Sequence, residues 1–285
     1  MSEELSNDPF DAGHVIELLD GTKRFVGLNP VEDNHLQMRA GLRSFSEYLD
    51  ANQIKRPPRS EWKPVNNQTV FTSDWFLNQM QTSGCVGGSS AGAFMRARWF
   101  ATGVFEVLSG ASIYARINGN RDRGAVIVDA VTTGLMQFGA CLHSEFDYPN
   151  IFVSQMSAAA VASAKTRLVA EALTADSFDD ICLAIQLGKM PVYPVGVDRN
   201  WERYDADGAV NAVQGISNHS VTADGLIWSG SEWMLDGVND WSKTWGLKKN
   251  GRFIAKERSV QYAATKNDAY IIVVAAVDSG AQEAG

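Results

Sequence analysis

Cysteine, histidine and basic side chains are all scarce in this 285-residue sequence. Its three cysteines, Cys85, Cys141 and Cys182, cannot all pair, and none sits in a C-x-x-C or other multi-ligand spacing. Neither a disulfide framework nor a metal site is therefore expected, Cys141 and His143 offering only two ligands. Free thiols point to the cytoplasm or another reducing compartment, virion-associated if the chain is of phage origin. Lys and Arg number 25 against 33 Asp and Glu, a net charge of -8, and the one basic cluster is the short Lys55-Arg56-Pro57-Pro58-Arg59. That balance repels phosphate backbones and excludes nucleic acid as an expected partner. No apolar run reaches the ~18 residues of a membrane span, so no membrane partner is expected. The first twenty residues carry six acidic side chains and no Lys or Arg, opposite to a secretory leader, and no signal peptide is expected.

What is present is enough to build a core: 45% of residues are hydrophobic and eight are tryptophan. Met38, Leu42, Phe45 and Leu49 recur at helical spacing, predicting an amphipathic helix over 32–51 that docks on something, and Pro57 and Pro58 break it. Residues 1–58 thus read as an N-terminal extension, propeptide-like or a docking segment for a protein partner. Residues 59–188 read as a helical subdomain. The run 85–108 is apolar on nearly every side except Arg96, Arg98 and Glu106, the mark of a buried helix. Further helices are expected over 125–138, 157–164 and 177–187, the last with a Ser177-x-x-Asp180 cap and a stop at Gly188. Residues 189–277 then turn β-rich, with short strands expected over 191–197, 220–228, 232–238, 252–255 and 270–277, and residues 278–285 read as a flexible tail. Helices followed by strands in blocks indicate an α+β fold.

Chemistry concentrates in Asn78 to Met95, NQMQTSGCVGGSSAGAFM. Gly88-Ser89-Ser90-Ala91-Gly92 matches the G-x-S-x-G elbow of serine hydrolases, so Cys85 and Ser90 are rival nucleophiles. The elbow needs a strand directly before it, and TSGCVG makes a poor one; a helix packed closely through small residues accounts for the glycines, each of which costs a helix about 1 kcal/mol relative to alanine. A cysteine at the start of that helix gains from its unsatisfied amides, which favour a thiolate. The nucleophile needs a base. Of the four histidines, His14 and His35 lie in the extension and His143 has no strand-like setting, whereas His219 starts a strand 134 residues after Cys85. Asn239, which follows the next strand, is placed to orient the imidazole if the two strands pair antiparallel.

Taken together, several separate motifs resemble the papain-like cysteine peptidases, bacterial and phage members in style. Asn78-Gln79 with Cys85 six residues after the glutamine resembles the family's N-Q-x-x-x-x-x-C segment. His219-Ser220-Val221 resembles its histidine strand. Asn239-Asp240-Trp241-Ser242-Lys243-Thr244-Trp245-Gly246 with Gly251-Arg252-Phe253 resembles its N-S-W-G-x-x-W-G block. Trp201 to Gly208 resembles an aromatic hairpin of the family, and Gly139-Ala140-Cys141 with Tyr148-Pro149 resembles the end of a helix and a turn in its helical half. Departures are Thr82 where a disulfide cysteine is usual, Val86 for tryptophan, and Asp240 and Ser242 for serine and glycine.

The resemblance implies a helical left subdomain, a β-barrel-like right subdomain and a cleft between them. It implies a cysteine endopeptidase, a hydrolase acting on protein or peptide substrates without a cofactor. In that reading Cys85 is the nucleophile, His219 the base, Asn239 its orienting partner and Gln79 an oxyanion donor. Gly124, Asn218 and Trp241 are the expected substrate contacts. A catalytically silent binding module on the same fold is the alternative, and a serine esterase using Ser90 stands behind both.

Overall fold

The computed structural model describes residues 15–265 and 268–275. It begins with a small hairpin, β1 (Val15–Glu17) and β2 (Lys23–Phe25), turned by Gly21 at φ +80° and by Asp20, whose carboxylate accepts from Thr22 N at 2.8 Å. Two short helices follow, α1 (Asp33–Ala40) and α2 (Phe45–Ala51). The single helix expected over 32–51 is broken because Thr174 N takes the Arg43 carbonyl at 3.0 Å while the Arg43 guanidinium forks onto Glu171. Ser44 then restarts the helix through a capping box with Glu47.

The long buried helix α3 (Cys85–Thr102) ends at Gly103 in the left-handed region rather than running to 108, and Ser109 caps α4 (Gly110–Asn118), which the sequence reading missed. Next come α5 (Ile127–Asp129), which continues as a π-helix over Ala130–Phe138, then α6 (Ala158–Ala164), β3 (Glu171–Ala175) and α7 (Phe178–Gln186). The β-rich part holds β4 (Met190–Val195), β5 (His219–Trp228), β6 (Trp233–Val238), β7 (Arg252–Lys256), α8 (Glu257–Thr265) and β8 (Ala269–Val273). Strands β3 to β8 form one antiparallel sheet in the order β3-β8-β4-β5-β6-β7. The architecture is α+β, as the block pattern predicts. The expected tail, residues 278–285, and His14 lie outside the described residues.

Strand β5 organises the site through its alternation. Ser220, Thr222 and Asp224 face α3: the Ser220 and Ser89 hydroxyls meet at 2.6 Å, and Arg96 Nε donates to Asp224 at 2.6 Å. Val221 and Ala223 point the other way, into a core shared with Trp201, Leu235 and Phe253. A bulge between Ala223 and Gly225 shifts the parity, and Leu226 re-enters that same core. A second core gathers α3, α4 and α5 on the opposite side.

The extension packs on the body of its own chain through arginines. Arg39 meets Asp176 at 2.6 Å, Arg56 meets Asp180 at 2.6 Å, and Arg59 meets Asp179 and Glu257 at 2.5 and 2.6 Å. Arg39 and Arg56 lie within residues 1–58 and Arg59 directly after them, while every carboxylate comes from residues 176–257. Among the described residues no helix is long and apolar enough to cross a membrane, and no group of three or more His, Cys, Asp or Glu could hold a metal ion.

Candidate active site

Cys85 is the first residue of α3, where backbone N–H groups lack intrahelical partners. The turn before it is fixed from several sides. Tyr148 Oη donates to Gly84 O at 2.8 Å, and the Asp122 carboxylate accepts from Ser83 N at 3.1 Å and from Tyr114 Oη at 2.7 Å. Two of the helical glycines, Gly87 and Gly88, have the expected cause. A Cβ on Gly87 would strike the Gly110 carbonyl, and one on Gly88 would strike the Asp240 carboxylate. Ser90 lies inside the helix, fully buried, with its Oγ unpartnered. It stands on no exposed turn, and the esterase expectation finds no geometry here.

The pairing of β5 with β6, Thr222 opposite Val238, carries the two polar residues at their ends together. His219 Nε2 and Asn239 Oδ1 are 2.9 Å apart. An amide oxygen only accepts, so the proton sits on Nε2, and Nδ1 has no hydrogen-bond partner. Trp241 covers the imidazole with its ring centroid 4.8 Å away, and Trp201 meets it edge-on at 6.2 Å. The Ser220 hydroxyl, next to His219, meets Ser89 Oγ at 2.6 Å, which places the start of β5 against the first turns of α3. His219, Asn239 and Trp241 thus meet at the start of β5, beside the helix whose first residue is Cys85.

Residues 25–29 of the same chain also lie there, which the sequence reading did not anticipate. Gln79 Nε2 donates to Phe25 O at 3.0 Å and to Thr82 O at 2.8 Å, and Trp241 Nε1 donates to the same Phe25 oxygen at 3.2 Å. Leu28 N donates to Asn218 O at 3.1 Å. Ala125 N donates to Gly27 O at 2.8 Å, and Asn29 N to Ala125 O at 2.9 Å. Gly27 is pressed against the Ser83 carbonyl so closely that a Cβ would collide with it, and Gly124, at φ +75°, sits against Gly27 O and Asn29 Oδ1. Gly124, Asn218, Trp241 and Gln79 all contact a peptide segment, and that segment is the chain's own.

The electrostatics follow from this cover. Cys85 and His219 are both fully buried. Burial, and then the nearby Asp240, push the Cys85 thiol up to about 12, against the pull of the Ser220, Gly27 and Val86 N–H groups. Burial holds His219 down to about 4, partly opposed by Asn239. In the covered state the pair is a neutral thiol and a neutral imidazole. The expectation of a helix-stabilised thiolate is corrected for this state, because loss of water outweighs the amides at the helix terminus.

Comparison with known proteins falls entirely on structure. No family model matches the chain, and no curated protein matches it in sequence. Xylellain, a cysteine protease from Xylella fastidiosa, superposes with a TM-score of 0.62 at 17% identity, covering 87% of this chain and 96% of that one. The bromelain protease from Ananas comosus, bound to the E64 inhibitor, gives 0.62 at 14% identity, with 75% and 99% covered. Digestive procathepsin L 3 of the Tenebrio molitor larval midgut gives 0.58 at 15% identity, with 87% and 84% covered. The fold is papain-like.

Within that papain-like frame, sequence reasoning missed the residues that act at a distance in the chain. Asp122, Tyr114 and Tyr148 brace the turn before Cys85 from α4 and two loops; only Tyr148 is singled out by the sequence, as part of a turn, and nothing in local spacing announces the bracing. For residues 25–29 the one available signal was a glycine between apolar neighbours, Val26-Gly27-Leu28.

Proposed function

We propose that the chain is a papain-like cysteine endopeptidase held latent by its own residues 25–29. One observation carries the reading: the backbone of this segment takes up the donors and acceptors around Cys85, namely Gln79 Nε2, Asn218 O and both polar atoms of Ala125. A cleft whose polar groups are met by an extended peptide is suited to an extended peptide substrate. The Phe25 carbonyl, accepting from Gln79 Nε2, stands in for the carbonyl of such a substrate.

With the segment withdrawn, water and substrate dipoles reach Cys85 and His219, and proton transfer from thiol to imidazole becomes favourable. The Cys85 thiolate attacks the peptide carbonyl; His219 Nδ1, now protonated, gives its proton to the leaving amine; water then hydrolyses the thioester. Asn239 keeps the ring's other nitrogen engaged, and Trp241 excludes water from that bond. Gln79 Nε2 and the Cys85 N–H serve the developing oxyanion, each such donor being worth ~3–4 kcal/mol. The protein partner expected for the extension is, in this reading, the body of the same chain.

The test is the epoxide inhibitor E64 with mass-spectrometric mapping, on wild type, Cys85→Ala and Ser90→Ala. The reading expects slow adduct formation on Cys85 in wild type and Ser90→Ala, through transient withdrawal of the segment, and none in Cys85→Ala. Peptide cleavage should follow the same pattern. A silent binding module expects no adduct and no cleavage in any of the three.

A further inference from the structure

Asp240 stands beside the proposed nucleophile without a role in the chemistry above, in a position where the resemblance noted in the sequence expects serine. Its backbone carbonyl is used, accepting Gln79 N at 2.8 Å. Its side chain is buried at 6% exposure, and neither carboxyl oxygen has a hydrogen-bond partner among the described residues. The carboxyl lies against the Cα of Gly88 in the first turn of α3, in space that any side chain at 88 would fill. A glycine that costs the helix stability and a carboxyl that fills the gap are therefore fitted to one another.

The surroundings offer no counter-charge. From α3, the small cavity beside Asp240 is lined by Gly88, Ser89, Gly92 and Arg96, from β5 by Thr222, and from the residue after β6 by Asn239. Arg96 is the one cation among the lining residues: its Nε donates to Asp224 and its Nη1 to Gly92 O, its Nη2 has no hydrogen-bond partner among the described residues, and it makes no hydrogen bond or ion pair with Asp240. The titratable groups that feel Asp240 are Cys85 and, from the loop before Pro149, Tyr148, and both are disfavoured as anions by it. An unpaired buried carboxylate is costly, and a protonated carboxyl is the form this site accommodates.

We propose that Asp240 is a positioning residue whose carboxyl, kept protonated under the first turn of α3, permits a thiolate at Cys85 and whose ionisation forbids one. The inference rests on Cys85 being the nucleophile, but its readouts need no peptide turnover. Burial raises the Asp240 carboxyl well above the usual carboxylate range, in agreement with the geometry. Two anions this close cannot both form readily, so the two groups titrate as a coupled pair. Reactivity at Cys85 should then rise with pH only until Asp240 begins to ionise.

Two measurements on the full-length chain test this. Infrared difference spectra between wild type and Asp240→Asn should contain the carbonyl stretch of one protonated carboxyl at pH 7, belonging to Asp240. Iodoacetamide labelling of Cys85 across pH 6–9, with Cys141 and Cys182 as internal controls, should agree between the two proteins within about twofold at pH 6. At pH 9 it should run about tenfold or more faster in Asp240→Asn, one unit of thiol ionisation being a factor of ten. Uncovering of the site scales both curves alike, and the amide preserves size, so a merely structural role would change melting and not the shape of the profile. Asp240→Ser is the second variant should the amide fold poorly, and it supplies the same difference spectrum and labelling profile. An ionised Asp240 at pH 7, or superimposable profiles, overturns the proposal. Diverging profiles in a protein that cleaves no peptide would leave it standing and remove the peptidase reading instead.

Discussion

The sharpest perturbation of the proposed latency is Gly27→Ala. A Cβ at 27 meets the Ser83 carbonyl, which is backbone fixed through Asp122 and cannot swing aside as a side chain would. The segment has to lift. Lifting weakens some of its hydrogen bonds, Phe25 O with Gln79 and with Trp241, Leu28 N with Asn218, Gly27 O and Asn29 N with Ala125, and Asn29 Nδ2 with Arg123 O, each worth about 0.5–1.5 kcal/mol net. Val26 and Leu28, exposed by 0% and 1%, contribute about 1.5–3 kcal/mol each when fully buried. Partial loss, two hydrogen bonds and a fraction of one side chain, destabilises the covered state by about 2–3 kcal/mol. At 1.4 kcal/mol per factor of ten, the uncovered fraction rises roughly 30- to 100-fold. The assay is native-state labelling of Cys85 by an epoxide or iodoacetamide, with Cys141 and Cys182 as controls. Cys85 should label about 30- to 100-fold faster in Gly27→Ala while the two control thiols keep their rates. Equal Cys85 rates would refute the claim that residues 25–29 cover the thiol. An equal acceleration at all three thiols would mean global unfolding rather than release of the segment.

Further outcomes follow from the same geometry. Asn239→Ala should lower kcat with little change in melting temperature, since the ring loses its orienting partner while thiol and imidazole remain; an unchanged rate removes Asn239 from the machinery. Gln79→Ala should cost turnover about 100- to 1,000-fold if its Nε2 serves an oxyanion, and a KM effect alone would make it a binding residue. Arg96→Met leaves the fully buried Asp224 with Arg252 as its remaining cation and should cost about 3–5 kcal/mol in urea unfolding; a loss below about 1 kcal/mol would show that Arg252 suffices. His219 has a folded-state value held to about 4 against an ordinary 6.5, so the unfolded chain binds the proton first. Stability from this group is full above about pH 6.5 and falls as pH drops toward 4, by about 3 kcal/mol in total. His219→Gln should flatten that part of the acid-unfolding curve, and an unchanged curve would mean His219 is protonated in the fold.

The sequence by itself determined whatever depends on local pattern and on the order of motifs. The apolar run from Cys85, the capped helix after Ser177 and the alternating strands from His219 and Trp233 were legible because a helix or strand imposes its period on its own residues. Cys85 and His219 stand out as candidates because cysteine and histidine are few, and Asn239 because it follows the strand after His219. The break between α1 and α2 was not, because it is made by Thr174 and Glu171, some 130 residues away. Nor was β3, five residues long and defined mainly by its pairing with β8. Only the tertiary structure decided the state of the site. A thiol at a helix terminus reads as a thiolate until another segment removes its water, and that the segment is residues 25–29 depends on contacts from Ser83, Ala125, Asn218 and Trp241 at once. Such contacts are set by chain folding over long separations, and no single stretch of sequence contains them.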